Sequence, residues 1–206
     1  MAVQGAIISP LLANLYLHPL DKRMRDRGYR MVRYADDSVI LCRSEKEARA
    51  ALAEMQRWVE ENGLSLHPDK THIGNCIEEG QGFEFLGYRF EAGRRWVRKK
   101  SLKALKDKTR AKTRRTRGES LASIIADLNP MLRGWYGYFC HAHRWTFGPL
   151  DQFVRRRLRA VLRKQSKRPG QGRCYADHRR WPNRFFADAG LFTMNEAWYL
   201  ASQSRC

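Results

Sequence analysis

The 206-residue sequence has no long hydrophobic run, no paired cysteines and few acidic side chains for its basic content. Its most apolar stretch, residues 6–17, is interrupted by Pro10 and Asn14, and it is shorter than the roughly 20 residues of a membrane span. No positively charged segment precedes this stretch, so it does not resemble a signal peptide. The five cysteines are odd in number and include no Cys-x-x-Cys pair. We therefore expect no membrane partner, no disulfides and a cytoplasmic location.

The charge is distributed unevenly between the two halves of the chain. Residues 1–88 carry 11 basic and 13 acidic side chains, whereas residues 89–206 carry 29 and 8, and the whole chain has a net charge of +19. Arginine accounts for 29 of the basic residues, and its planar fork suits phosphate better than an ammonium group does. Because apolar residues make up 43% of the sequence, we predict a folded protein whose partner is a nucleic acid.

The first half alternates helical and β-prone segments. We predict a helix over 9–27 with Ser9 as its N-cap and a hairpin from 29–34 and 38–42. A second helix follows over 45–61, capped by Ser44, with the inner stripe Ala48, Leu52, Met55 and Val59. A short strand is expected at 71–76, and a second hairpin from 83–90 and 96–97 around the turn Ala92-Gly93.

The second half has helical patterning. We predict helices over 101–117, 119–141 and 148–167, and then a loop-rich tail with one short helix over 195–202. These elements give three domains: 1–98 with mixed structure, 99–168 with helices, and the basic tail 169–206. The predicted fold class is α+β.

Two adjacent carboxylates, Asp36 and Asp37, lie at the tip of the first predicted hairpin between β-prone apolar segments. Neighbouring anions repel each other, and a divalent cation with a preference for oxygen ligands, such as Mg²⁺, would relieve that repulsion. Taken alone, the pair favours ordinary turn chemistry, because Asp is common in turns. The two residues by themselves leave both interpretations open.

The sequence around these carboxylates resembles the conserved boxes of reverse transcriptases. Tyr34-Ala35-Asp36-Asp37 matches the Tyr-x-Asp-Asp box, and residues 4–14 resemble the Gln-Gly-x-x-x-Ser-Pro box that precedes it. Gly63-Leu64 with Lys70-Thr71, and then residues 85–88, look like the next two boxes in the same order. Four boxes in one order are far more specific than a single motif.

The second half resembles the thumb and maturase domain of bacterial group II intron reverse transcriptases. Residues 128–130 and 133–139 look like the signature of that domain, and residues 176–183 and 190–193 resemble the end of such proteins. The resemblance implies an α+β fold in which the C-terminal part of a palm, a helix plus antiparallel hairpins, precedes a helical thumb or maturase domain. It also implies group II intron RNA as a partner, with target DNA and dNTPs as further partners.

The resemblance assigns roles to residues near the predicted hairpin. Asp36 and Asp37 would be catalytic carboxylates and ligands of two Mg²⁺ ions, and Lys70 would act on the pyrophosphate side. Gln4, Gly5, Tyr34 and Ala35 would lie beside the template and the incoming nucleotide. Outside the family context, a lysine such as Lys70 is more often an exposed turn residue.

Basic side chains in the second half predict an RNA-binding surface. The aromatic residues of 135–139 favour a helical core over base stacking, and this makes Arg133 the better contact. The predicted RNA contacts are Lys103, Lys106, Arg110, Arg114, Arg115, Arg133, Arg155, Arg156 and Arg159.

The sequence departs from the family in one respect, because only three residues precede Gln4. Fingers and an earlier palm strand with a further metal-binding Asp would lie there, so we expect the isolated chain not to polymerise DNA. A non-enzymatic RNA-binding splicing cofactor, and one half of a split enzyme completed by a separate fingers-and-palm fragment, are the alternatives. The residues Cys140, His141, His143, Cys174 and His178 lack the spacing of a structural zinc site, and we expect no zinc.

Overall fold

The N-terminal part of the chain folds as a helix, a hairpin and a second helix in the computed structural model, which describes residues 8–203. The elements are α1 (Ser9–Asp26), β1 (Arg30–Tyr34), β2 (Asp37–Leu41) and α2 (Glu45–Glu61). The strands are antiparallel, with Tyr34 opposite Asp37 at the closed end. The predicted helices and hairpin are therefore confirmed. The first compact unit of the fold ends at Asn75.

The helix ends and inner faces of this unit differ in part from the prediction. The Ser44 hydroxyl accepts a hydrogen bond from the Glu47 N–H, as expected of an N-cap. Ser9 does not cap α1, because the helix already includes it and the N-cap position is Ile8. The core joins α1 to a face of α2 that is rotated from the predicted stripe, so that Ala48, Leu52 and Met55 are only half-buried. The buried core residues are Leu20, Met24, Ala51, Trp58 and Val59.

The predicted strand at 71–76 is absent, because the residues between α2 and residue 82 form turns and irregular structure. Ile73 in the middle of this stretch is exposed. A strand needs a pairing partner and a buried face, and this segment has an apolar side chain without the burial that would hold it in a sheet.

The second compact unit begins at Cys76 with a three-stranded antiparallel sheet. Its strands are β3 (Phe83–Phe85), β4 (Tyr88–Glu91) and β5 (Arg94–Val97). The predicted single strand over 83–90 is wrong, because the chain reverses at Leu86-Gly87, where both residues have positive φ (48° and 80°). The predicted turn at Ala92-Gly93 is confirmed and repeats this geometry, with φ of 50° and 67°. Two positive φ values in a two-residue loop are typical of the tightest hairpin turns.

The helices that follow are α3 (Lys99–Lys112), α4 (Leu121–Phe139), a short 3₁₀ helix (Arg144–Thr146) and α5 (Phe147–Gln165). The predicted helices at 119–141 and 148–167 are confirmed, but α3 ends before Arg117. Its last carbonyl groups are taken by arginines: Arg157 donates to the Thr113 oxygen at 2.7 Å and Arg117 donates to the Lys112 oxygen at 3.1 Å. These hydrogen bonds satisfy the carbonyl oxygens that a further helical turn would otherwise use as acceptors.

The tail contains three helices instead of the one predicted: α6 (Tyr175–Arg180), α7 (Asn183–Asp188) and α8 (Met194–Gln203). Trp181, Phe186, Leu191 and Met194 are buried in the core of this unit. The tail is therefore built into the helical unit, and sparse apolar residues gave too weak a pattern to predict it. Within residues 8–203, no helix has the length and apolar character needed to cross a membrane.

The fold class is α+β, as predicted, and is consistent with a partial palm followed by a helical maturase domain. The compact units divide between Asn75 and Cys76, because the three-stranded sheet packs with the helices that follow it. Val97 lies in the core of the helical unit, and the Tyr88 hydroxyl donates to the Tyr138 oxygen at 2.7 Å. The domain assignment 1–98, 99–168 and 169–206 stays a prediction.

Candidate functional site

The hairpin of β1 and β2 presents the two carboxylates at its closed end. Ala35 and Asp36 form the turn, and Asp37 is the first residue of β2. Ala35 has a φ of 56°, a conformation that costs a non-glycine residue about 1 kcal/mol or more. Tyr34, Asp36 and Asp37 are all exposed. The structure therefore brings Tyr34, Ala35, Asp36 and Asp37 together on one strained, exposed turn.

Arg33 fixes this turn to helix α1. Its guanidinium donates two hydrogen bonds to the Asp21 carboxylate, at 2.8 and 2.6 Å, and a third to the Asn14 side-chain oxygen at 3.0 Å. It also donates to the Ala35 carbonyl oxygen at 2.8 Å. The Asp21 hydrogen bonds raise the pKa of Arg33 above its ordinary value, so the cation is permanent.

The sequence analysis did not identify Arg33 as the residue that attaches the turn to α1, although the alternating pattern of β1 indicates its inward position. Residues 31 and 33 of the strand are half-buried, whereas 30, 32 and 34 are exposed, so Arg33 lies on the inward face. An inward-facing arginine needs an acidic partner. Asp21 lies on α1 one helical turn before the buried Met24, so it is close to the core face of that helix. The carboxylate of Asp21 is therefore bound to Arg33.

The chemistry of the hairpin tip fits part of a divalent-metal site. Carboxylate oxygens are the ligands that Mg²⁺ and similar hard cations prefer, and Asp36 and Asp37 supply them from adjacent positions. Within residues 8–203, no group of three or more His, Cys, Asp or Glu side chains is arranged to hold an ion. The tip provides one side of a coordination shell.

The other residues predicted around the nucleotide lie elsewhere or outside the described part of the chain. Gln4 and Gly5 precede the described residues. Lys70 is exposed in a separate turn after α2, where its N–H donates to the His67 oxygen at 3.2 Å. Two of the cysteine and histidine residues considered for zinc have other contacts: the Cys174 sulfur lies 3.0 Å from an Arg163 nitrogen, and the His143 ring is tilted against the Trp96 ring.

A cluster of cations surrounds Phe153 on the face where α3 and α5 meet. The Lys106 Nζ lies 5.9 Å from the centre of the Phe153 ring, and the guanidinium carbons of Arg110 and Arg156 each lie 5.3 Å from it. We name these three side chains the Phe153 cation cluster. Their attraction to the ring gathers three positive charges around one aromatic side chain.

The cluster carries more positive charge than its neighbours neutralise. Burial, followed by the charges of Arg173 and Arg110, lowers the pKa of Arg156. Burial and three further arginines also lower the pKa of Arg157, which donates to the Thr113 hydroxyl at 3.0 Å. The acid that pairs with the cluster is Asp107, on Arg110. Such mutual repulsion is relieved by an anion such as phosphate.

The predicted RNA contacts fall into different classes of exposure. Lys103, Arg110, Arg114 and Arg133 are exposed, and Arg133 lies 4.6 Å above the Phe192 ring. The half-buried members are Lys106, Arg115, Arg155 and Arg156. Within the described chain, the Nε–H groups of Arg115 and Arg155 are buried without a hydrogen-bond partner.

Arg159 does not fit the predicted role of an RNA contact. Its residue is 2% exposed, and its Nε donates to the Trp181 oxygen at 2.9 Å. A second nitrogen donates to the Asn183 side-chain oxygen at 3.0 Å, and the guanidinium lies 5.2 Å from the Phe186 ring centre. Arg159 therefore connects α5 to the tail helices, which the sequence could not show because the tail was expected to be loop-rich.

Comparisons with known proteins match both halves of the chain. Residues 1–90 match the family model described as reverse transcriptase (RNA-dependent DNA polymerase), and residues 102–181 match the model described as group II intron, maturase-specific domain. A retron Mx65 reverse transcriptase from Myxococcus xanthus is 35% identical over 77 residues. That match covers 35% of this chain and 18% of the relative, so the chain spans a small part of that protein's length.

Proposed function

The chain belongs to the group II intron reverse transcriptase and maturase type of protein, and from this premise we propose that it binds intron RNA through the Phe153 cation cluster. The observation that carries the proposal is the convergence of Lys106, Arg110 and Arg156 on one ring. All three cations and Phe153 lie within residues 102–181, which match the maturase-specific domain. A maturase acts on intron RNA, and this cluster is a surface that phosphate groups would neutralise.

In this proposal, the cluster binds the phosphate backbone of an RNA whose fold places the phosphates opposite the cations. Arginine guanidinium groups bind phosphate oxygens in pairs, and Phe153 holds them in place before the RNA arrives. Exposed Lys103 and Arg114 extend the positive surface along α3 and beyond its end. This surface recognises the positions of phosphates and has little base specificity, as expected for binding to folded RNA. By holding a fold of the intron, such binding would assist splicing.

The test compares two double variants with the same change in charge. Arg110→Gln/Arg156→Gln removes two cluster cations, whereas Arg49→Gln/Arg184→Gln removes two exposed cations that already pair with Glu45 and Asp188. We expect the first variant to bind a structured intron RNA about 10-fold or more weakly and the second to bind it like the parent chain. Equal losses in the two variants would contradict the proposal.

The reverse transcriptase match implies dependence on a divalent metal ion, and we propose Mg²⁺ bound by Asp36 and Asp37 in the complete enzyme. The two ions would activate the primer hydroxyl and stabilise the leaving pyrophosphate. Arg33 holds the turn that presents both carboxylates. Tyr34 and Ala35, with Gln4 and Gly5, would border the template and the dNTP, and Lys70 would contact the pyrophosphate.

We further propose that the isolated chain does not extend a primer, since two carboxylates supply only part of a two-ion site. Titration with Mn²⁺ should show weak binding that Asp36→Asn/Asp37→Asn removes. Primer extension with Mg²⁺ and dNTPs should be absent for the parent chain. Robust extension that disappears in Asp36→Ala/Asp37→Ala would overturn this part of the proposal.

The split-enzyme alternative is favoured by the exposed apolar face of α1. Leu11 and Leu15 are 66% and 70% exposed, and Ile8, Leu12 and Tyr16 are also at least 46% exposed. A contiguous apolar helix face in water favours contact with further polypeptide. Mixing the chain with a separate fingers-and-palm fragment should then restore primer extension. The lack of any restoration would favour the non-enzymatic splicing cofactor.

A further inference from the structure

Three aromatic rings form a cluster at the edge strand β5. The His143 ring lies 4.7 Å from the Trp96 ring and 4.8 Å from the Trp145 ring, centre to centre. The backbone fixes this arrangement, because the His143 N–H donates to the Arg95 oxygen at 2.7 Å. Burial and the charges of Arg94 and Arg144 lower the pKa of His143 below its ordinary value. We name Trp96, His143 and Trp145 the aromatic cluster.

Trp145 lies at the end of this cluster and is open to solvent. It is 58% exposed, although tryptophan is among the side chains that gain most from burial. The Trp145 and His143 rings form a T-shaped contact, with 77° between the planes. This contact restricts the exposed indole, which reduces the side-chain entropy that Trp145 loses when a ligand covers it.

The chain segments around Trp145 contain basic and no acidic side chains. The Arg94 guanidinium carbon lies 5.5 Å from the centre of the Trp145 ring, and Arg144, the preceding residue in the chain, is exposed. Residues 94–100 and 141–147 contain six Lys and Arg side chains and no Asp or Glu. The carboxylate opposite Arg94 in the sheet is that of Glu91, which is paired with Arg89 at 2.6 Å. The positive charge around the indole is thus not neutralised by that acid.

We propose that Trp145 is a stacking platform for an unpaired nucleobase of RNA, with the flanking phosphates bound by Arg94 and Arg144. An exposed aromatic face beside cations suits a single-stranded nucleic acid, because each base has a π face and the neighbouring phosphates carry negative charge. An apolar protein partner would leave these cations without counter-charges. The inference rests on the proposed RNA binding and adds a second contact, specific for unpaired segments.

The experiment measures binding of the full chain to two labelled RNAs, an unpaired oligonucleotide and a duplex of the same length, by fluorescence anisotropy. Trp145→Ala should weaken binding of the unpaired RNA at least about 5-fold and leave duplex binding unchanged. Trp145→Phe, which keeps an aromatic face, should restore most of the affinity. Tyr199→Ala is the matched control, since Tyr199 is 59% exposed on α8 and outside the aromatic cluster.

The outcomes separate this inference from the proposed function. If the parent chain binds the duplex and Trp145→Ala binds the unpaired RNA as tightly as the parent, the stacking platform is refuted while RNA binding stands. Equal weakening for both RNAs would also refute it, because stacking requires an unpaired base. If the parent chain binds neither RNA, the proposed function fails together with the inference.

Discussion

At the scale of single residues, neighbouring arginines of α5 have opposite roles. Arg156 lies half-buried beside Phe153, where its charge is available to a ligand. Arg159, three residues later, is buried and bonded to the Trp181 oxygen. The two residues belong to the same basic run, so the sequence predicts RNA contact for both. Only the packing of the tail helices against α5 separates them, and that packing had no clear sequence pattern.

Arg159→Leu should destabilise the second compact unit by about 2 kcal/mol, because it leaves the Trp181 carbonyl and the Asn183 side chain without their donor. Chemical unfolding followed by far-ultraviolet circular dichroism measures this loss. Arg156→Leu is the control and should change the free energy of unfolding much less while weakening RNA binding. A stable Arg159→Leu with reduced RNA affinity would contradict the assignment of Arg159 to the core.

Arg33→Ala should loosen the hairpin that presents the carboxylates, because four hydrogen bonds to Asp21, Asn14 and the Ala35 carbonyl are lost. The expected cost is about 1–3 kcal/mol in the local opening free energy of residues 30–41. Hydrogen exchange of that segment measures it. Arg33→Lys should recover little, since an ammonium cannot form the two-nitrogen contact.

The matched control for Arg33 is Arg49→Ala. Arg49 pairs with Glu45 on the exposed face of α2, where both side chains are more than two-thirds exposed, so its loss should change stability by less than about 0.5 kcal/mol. Similar hydrogen exchange in Arg33→Ala and Arg49→Ala would show that the hairpin does not depend on its anchor.

At the scale of elements, hairpins and helices with strong local signals were predictable, and those fixed by distant contacts were not. The first hairpin and α2 followed from alternation and from the Ser44 cap. The turn at Leu86-Gly87 was missed, because leucine rarely adopts a φ of 48° and the surrounding aromatic alternation continues through it. The end of α3 was missed because Arg157, from α5, binds its last carbonyl groups.

Gly87→Ala should destabilise the three-stranded sheet and its contact with Phe139 of α4. The backbone at residue 87 has a φ of +80°, which an alanine rarely adopts. The added Cβ would also lie 3.3 Å from two ring carbons of Phe139. We expect a loss of about 1–2 kcal/mol from the backbone conformation and a further loss from the ring contact. Gly93 has a similar φ of +67°, but no atom lies within 4 Å of a Cβ added there. Gly93→Ala should therefore lose only the stability that the backbone conformation costs. Thermal unfolding of the two variants measures the difference.

The ion pairs between the end of α3 and α4 predict a pH dependence. Asp127 accepts from Lys112 and from Arg117, and these bonds lower the pKa of Asp127 below its ordinary value of 3.8. Because that pKa is lower in the folded protein than in the unfolded chain, the carboxylate stabilises the fold at neutral pH. This stabilisation is lost as the pH falls through the folded-state pKa.

Melting temperatures of the parent chain and Asp127→Asn, measured from pH 7 to pH 2.5, test this dependence. The parent chain should lose more stability over the acid range than the variant does, and the variant should already be less stable at pH 7. Parallel acid profiles for the two proteins would show that Asp127 does not contribute.

At the scale of the whole molecule, the charge imbalance of the sequence has a structural counterpart in each unit. The near-neutral first half contains the exposed Asp36 and Asp37, and four of its other acids pair with arginines, as Glu54 does with Arg23 at 2.6 Å. The +21 half concentrates cations around Phe153 and around Trp145. Composition predicted a polyanion partner, but the two aromatic centres that organise the cations depend on tertiary contacts.

The dependence of RNA affinity on salt tests the central claim most directly. If the Phe153 cation cluster neutralises phosphates, the logarithm of the binding constant should fall steeply and linearly with the logarithm of the salt concentration. Arg110→Gln/Arg156→Gln should reduce the magnitude of that slope by about 1–2, and Arg49→Gln/Arg184→Gln should leave it unchanged. Identical slopes for the parent chain and the cluster variant would contradict the claim that these residues form the RNA-binding surface.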